Sequence, residues 1–321
     1  MSAFKTVRFK EYVVPEVLRY IEEGRRAALV TLVDIVGSSP RPLGSQMAVS
    51  ENGDALGNIT GGCAEAAIVA EAINAIQAGE NRRLRFGKGS PFIDVKLACG
   101  AGIEVFINVD LKRDMVAELV GDVADRRAVT LSQDTKTGET SVAAPATDDD
   151  TPSFGAQTVY QKRFEPATRV FAIGKGPILV SLARFGKLLD FETHAMSSEE
   201  STLLQVEPEV ATVTHLTVPS AFVCPAFDAH TAVVLLFHEH DWEPPIIQQA
   251  LATDAFYVGV LGSRNTHNAR IELLKELGCD EAAIQRIKAP VGLEIGAKSP
   301  HEIALAIAGE IVKTKREQMV R

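Results

Sequence analysis

The sequence predicts an α/β protein in two parts, an N-terminal mixed α/β domain followed by a Rossmann-like domain with a doubly wound parallel sheet. Three observations carry this. Residues 169–173, 231–237 and 256–261 are near-continuous apolar runs, as expected of strands buried on both faces of a parallel sheet. Each leads toward a stretch with the spacing of a helix, and that alternation is the mark of a doubly wound sheet. Between the halves the composition changes: residues 144–153 hold two prolines and the run Asp148-Asp149-Asp150, a solvated stretch with no core of its own. The expected domains are 1–143 and 166–321, with a linker region over 144–165.

In chain order, residues 15–23 read as a short helix leading into a β-rich run at 27–36. The loop Gly37-Ser-Ser-Pro-Arg-Pro-Leu-Gly44 follows, and two strands at 46–50 and 55–60 flank the turn Glu51-Asn52-Gly53-Asp54. Gly61 and Gly62 then deliver Cys63 to the first turn of a helix whose apolar residues recur at Ile68, Val69, Ala72, Ile73 and Ile76. Gly79 is its expected terminator. Further strands are expected at 82–86, 92–97 and 103–109, a helix at 113–127, and a strand pair around the turn 136–139. In the second half, helices are expected from Pro177 to about Leu189, over 244–252 and over 266–277. The last opens at Ser299-Pro300-His301-Glu302, where serine caps, proline takes the first position and glutamate closes a capping box. No internal repeat is visible.

Composition excludes several classes. The chain of 321 residues is 46% hydrophobic and 23% charged, ordinary for a globular protein, and long enough for two cores. A formal charge of −9 without a clustered basic face argues against nucleic-acid binding. No apolar run has the length of a membrane span, and residues 1–10 lack a signal-peptide core, so a cytoplasmic location and no membrane association are the expectation. Cys63, Cys99, Cys224 and Cys279 are too scattered for a disulfide framework or a zinc ribbon, which leaves reduced thiols.

Cys63 lies where a helix N-terminus favours negative charge and so a thiolate, although a small buried filler satisfies the same spacing. Arg41, held between two prolines in a loop of serines and glycines, suits an oxyanion. Cys99 sits in Cys99-Gly100-Ala101-Gly102, beside residues small enough to admit another group. In the second half, three loops follow the strands and share the ligand-binding edge of such a sheet. The first, with Gly174 and Gly176, matches G-x-G-x-x-G only in part, because Leu179 holds the third glycine's place and Pro177 lacks an N–H. The second strand ends near Ser197, with Glu199 beyond it, where an acid for a ribose is expected. The second loop offers His238, His240 and Asp241 as metal-ligand types, with an ordinary polar strand end as the alternative. The third, Ser263, Arg264 and His267 at a helix start, suits an anion.

Taken together, Gly37-Ser-Ser-Pro-Arg-Pro-Leu-Gly44 and Gly61-Gly62-Cys63-Ala64-Glu65 resemble the N-terminal module of the XdhC/CoxI family, the xanthine dehydrogenase accessory factors. Tyr257-Val-Gly-Val-Leu-Gly-Ser-Arg264, Thr266-His267 and Ala289-Pro-Val-Gly-Leu-Glu-Ile-Gly296 resemble that family's Rossmann-like module. The resemblance implies a maturation factor, not an enzyme, that binds the molybdenum cofactor (molybdopterin). Such a factor protects the cofactor while a cysteine desulfurase supplies its sulfur, then delivers it to an apo molybdenum hydroxylase of the xanthine dehydrogenase type. Cys63 and Cys99 match the family's glycine-flanked cysteines, and Arg264 and His267 its Gly-Ser-Arg loop. The second cysteine motif and the Rossmann fingerprint depart from the family pattern. Two alternatives stand beside it: a scaffold for the apo-enzyme that holds no cofactor, and an NAD(P)-dependent oxidoreductase. A homodimer is also left open.

Overall fold

In the computed structural model, the described residues are 10–90, 100, 102–145, 153–154, 158–237 and 242–319. They form two compact units, 1–166 and 167–321.

The first unit is organised by β1 (Ala27–Val36), which pairs antiparallel with β2 (Gln46–Ser50) and β5 (Gly102–Asn108). With β3 (Ala55–Gly57) and β4 (Arg82–Gly87) the sheet order is β3-β2-β1-β5-β4. Side chains alternate across a strand, and here both faces are covered. Ala28, Val30 and Leu32 pack with α2 (Glu65–Ala78) through Ile68, Ala72 and Ile76. Ala27 and Leu29 pack the other way, with Val14, Val17 and Tyr20 of α1 (Val14–Glu22) and Val116, Leu119 and Val123 of α3 (Arg113–Ala124). That double burial is why residues 27–33 read as an apolar run interrupted only by Thr31.

A second antiparallel sheet, β7-β6-β9-β8, completes the unit: β6 (Val129–Asp134), β7 (Thr140–Ala143), β8 (Ser153–Phe154) and β9 (Val159–Phe164). Residues 159–164, which the sequence reading assigns to the linker region, therefore form a strand paired with β6 along its length. Tyr160 and Phe164 are buried from it. The strand expected at 92–97 lies outside the described residues.

The second unit is a parallel sheet in the order β12-β11-β10-β13-β14-β15. Its strands are β10 (Arg169–Gly174), β11 (Glu192–Ser197), β12 (Thr212–His215), β13 (Thr231–Leu236), β14 (Tyr257–Val260) and β15 (Ile287–Lys288). One face, with Phe171, Ile173, Val233 and Leu235, packs on α6 (Glu243–Leu251) and Leu274 of α7 (Arg264–Glu276). The opposite face, with Val170, Ala172, Val234 and Leu236, packs on α4 (Pro177–Leu188) and α9 (Pro300–Met319). Two shorter helices, α5 (Glu200–Val206) and α8 (Glu281–Gln285), complete the connections. The chain reverses its direction of travel across the sheet between β10 and β13, the switch point at which such folds bind ligands. The capping box at α9 is formed: Glu302 N–H donates to Ser299 Oγ and Ser299 N–H to Glu302 Oε2 at 2.8 Å.

Candidate functional site

In the first unit the two glycine loops meet. A Cβ placed on Gly61 would stand 3.4 Å from Pro40 Cγ, so the Gly37–Gly44 loop lies against the turn that carries Cys63. Gly61 and Gly62 both have φ above +70°, at +75° and +105°, a region side chains disfavour. Cys63 is exposed, its thiol unpaired with another cysteine.

One correction to the sequence expectation follows from Glu65. Helix α2 begins at Glu65, so Cys63 precedes it on a bend rather than occupying its first turn. The Glu65 side chain is 6% exposed. Its carboxylate accepts the N–H groups of Thr60 at 2.7 Å, Ile59 at 3.2 Å and Ala64 at 3.3 Å, together with the Thr60 hydroxyl. Gathering donors from both sides of Gly61-Gly62-Cys63 draws that segment into a bend and postpones the helix. Burial pushes this carboxyl up, but the Thr60 hydroxyl and the backbone N–H groups outweigh it and hold it below the usual range. Asn58 Oδ1 accepts the Gly61 N–H at 2.7 Å.

Arg41 accompanies this turn, its N–H bonded to Ser39 Oγ and its guanidinium paired with Glu11. A residue not singled out by sequence reasoning stands close by. Lys162 of β9 donates to Gly44 O at 2.6 Å. Its signal was the strand alternation Tyr160-Lys162-Phe164, which puts a lysine on an inward face. Cys99, the other glycine-flanked cysteine of the family resemblance, lies outside the described residues.

In the second unit, Gly174 ends β10 where β13 passes closest: a Cβ there would come 2.5 Å from Leu236 backbone. The donors of the following loop are spent inside the fold. Lys175 N–H bonds Leu236 O at 3.3 Å, Gly176 N–H bonds Thr202 Oγ1 at 3.1 Å, and Pro177 has none. Thr202 donates in turn to Glu199 at 2.8 Å. A dinucleotide pyrophosphate would find these groups engaged, which counts against the NAD(P) alternative. His301 of α9 is bonded through Nδ1 to Ser181 Oγ at 2.8 Å, and Ser181 donates to Pro177 O at 2.7 Å. The sequence showed His301 only as part of a cap.

The third loop is likewise turned to structural use in part. Ser263 caps α7, accepting from Thr266 N–H at 3.2 Å. Arg264 is exposed. His267 Nδ1 is buried without a hydrogen-bond partner, and burial followed by the Arg270 charge pushes its pKa down. Arg270 forms a buried pair with Glu243 at 2.8 Å and donates to Leu261 O, locking α7 to α6 and to the end of β14. His238, His240 and Asp241 lie outside the described residues. Among the described residues there is no group of three or more His, Cys, Asp or Glu arranged to hold a metal, and no helix is long and apolar enough to cross a membrane.

Comparison with known proteins matches residues 20–87 to the XdhC and CoxI family and residues 170–311 to the XdhC Rossmann domain. The chain is 30% identical over 306 residues to the molybdenum cofactor insertion chaperone PaoD of Escherichia coli (strain K12), covering 94% of this chain and 89% of that protein. It is 26% identical to a probable xanthine dehydrogenase subunit of Bacillus subtilis (strain 168), covering 94% and 96%. The fold is shared with a xanthine dehydrogenase crystal structure from Bacillus halodurans, with a TM-score of 0.75 and 20% identity over 95% of this chain and 96% of that one.

Proposed function

The chain belongs to the XdhC and CoxI family, and from that premise we propose that it is a maturation chaperone for molybdenum hydroxylases. In this reading its cargo is the molybdenum cofactor, held while a cysteine desulfurase supplies the terminal sulfur and then passed to an apo-enzyme of the xanthine dehydrogenase type. The work is done in the cytoplasm and without turnover by the chain itself. The observation that carries the reading is an exposed thiol, Cys63, on a glycine turn packed against the loop of Arg41.

The residues present fit such a cargo. Its dithiolene-bound metal supplies a soft centre for a thiol, and its phosphate supplies negative charge. Cys63 is the group that reaches the soft centre, with open space above Gly62, where an added Cβ would meet nothing within 4 Å. Arg41 is the cation for the phosphate. Glu65 holds no cargo; it fixes the turn from beneath. Cys99 remains a further proposed contact of the first unit; Arg264 and His267 are proposed separately as an anion-binding pair of the second unit, with Gly174, Gly176 and Ser263 shaping its loops.

The test is cofactor content after gentle purification from molybdenum-sufficient cells, by pterin fluorescence after oxidation and by elemental analysis. Near-stoichiometric pterin and molybdenum are expected, with at least a fivefold loss in Cys63→Ser. Unchanged retention in that variant removes Cys63 from the site. A folded protein that binds its apo-enzyme yet never carries pterin overturns the carrier reading in favour of a scaffold.

A further inference from the structure

The buried pair that locks α7 to α6 is incomplete on one side. The Arg270 side chain is 3% exposed and that of Glu243 1%. Nε and Nη2 of the guanidinium both donate to Glu243 Oε2, at 3.0 and 2.8 Å, and Nη2 donates again to Leu261 O at 3.0 Å. Nη1 is buried as well, and it has no hydrogen-bond partner among the described residues. A guanidinium can only donate, so this nitrogen holds N–H groups away from solvent with no acceptor from the described part of the fold. A donor stranded in that way is costly, the more so on a charged group.

The backbone is shaped to bring the guanidinium here. Gly262 has φ +138°, and a Cβ placed on it would stand 3.3 Å from Arg270 Nη2 and 3.2 Å from Thr266 Cγ2. The head of Arg270 and the first turn of α7 thus close on one glycine. Beside them lies a cavity of about 100 Å³, lined by Glu243, Pro244, Thr266, Ala269, Arg270 and Leu273. Nε and Nη2 are turned to Glu243 and to the end of β14. Of the three guanidinium nitrogens, Nη1 is the one left for this space.

We propose that the cavity is a water site, and that a water held in it accepts from Arg270 Nη1. The room is sufficient, since a water takes up about 30 Å³ in the liquid, and a buried one needs about two to four polar partners. Thr266 and Glu243 complete the polar part of the wall. A small anion fits the same space less well. Glu243 already meets the Arg270 charge, and a second negative charge would enter a pocket whose remaining walls, Pro244, Ala269 and Leu273, are apolar. A neutral acceptor satisfies the stranded donor without unbalancing the pair. The inference is independent of what cargo the chain carries.

The test is a crystal structure of the full chain at a resolution that shows ordered water, with a second data set from crystals pressurised with xenon. A density peak about 2.7–3.2 Å from Nη1 is expected, and xenon should not replace it. Xenon in the cavity, or no density there, means a dry space and overturns the proposal. A halide or buffer carboxylate in that place overturns it in favour of an anion site. In solution, Leu273→Phe narrows the cavity and is expected to lower Tm by about 3 °C, because it displaces the water and strands Nη1. In the background Glu243→Leu/Arg270→Met, where no guanidinium remains, the same substitution should leave Tm unchanged or raise it. A rise in the wild-type background overturns the proposal, as does an equal fall in both, which would mark simple overpacking.

Discussion

Each unit builds a glycine turn at its candidate site, and the two secure it by different chemistry. In the first, the turn of Gly61 and Gly62 is held by an ionised carboxylate, Glu65, that takes several donors into a buried place. In the second, the turn of Gly174 and Gly176 is held by the Thr202 hydroxyl and by the carbonyl of Leu236. A charge that collects N–H groups from below leaves the side chain above free to present itself, and Cys63 is exposed. A loop whose own N–H groups are used by its neighbours has less to offer a phosphate. The comparison leaves an exposed thiol on the turn of the first unit and a loop with engaged N–H groups in the second.

The largest test of that contrast is Glu65→Ala. Hydrogen bonds to a charged acceptor contribute about 1.5–3 kcal/mol each and the stranded donors are buried, so a loss of about 3 kcal/mol is expected in urea unfolding, read through amide exchange at Thr60. Acid provides a second test. The folded Glu65 pKa lies below its unfolded value, so its contribution is complete above the unfolded value and is lost as pH falls through the folded one. Protection of the Thr60 and Ala64 amides should therefore fall below about pH 4 in wild type, with no such step in Glu65→Gln.

A smaller effect is expected from Thr202→Val, about 1 kcal/mol, since the bond it takes from the Gly176 N–H is neutral and its bond to the exposed Glu199 carboxylate can be replaced by water. If thermal unfolding showed it to be as damaging as Glu65→Ala, the distinction between a charged and a neutral clamp would fail. The smallest is Cys63→Ser, expected within about 0.5 kcal/mol of wild type by calorimetry, because its side chain supports no neighbour. Loss of cofactor without loss of stability is what separates a presenting residue from a holding one.

Much of this was legible in the sequence because buried parallel strands write themselves as apolar runs, as at Thr231–Leu236, and because caps such as Ser299-Pro300-His301-Glu302 are local. The Rossmann-like sheet and the family resemblance followed from such features. What was not legible depends on long-range pairing. β9 falls in a stretch that opens with prolines and aspartates, and only pairing with β6 makes it a strand. Lys162 and Glu11 reach Gly44 and Arg41 across wide sequence separations. Glu65 stood in the sequence only as the end of the motif Gly61-Gly62-Cys63-Ala64-Glu65, and its role as the anchor of the Cys63 turn appears only once its burial is known.

One hydrogen-bonded chain in the second unit also settles a question of tautomer. The Ser181 hydroxyl has a single proton, and it is committed to the Pro177 carbonyl, which can only accept. The contact with His301 must then be made by a proton on Nδ1, which assigns the neutral ring's lone pair to Nε2. The peptide that begins α4 thus selects which nitrogen of a distant imidazole is basic. A change in the direction of that one carbonyl would release the hydroxyl proton and let the two ring nitrogens exchange roles.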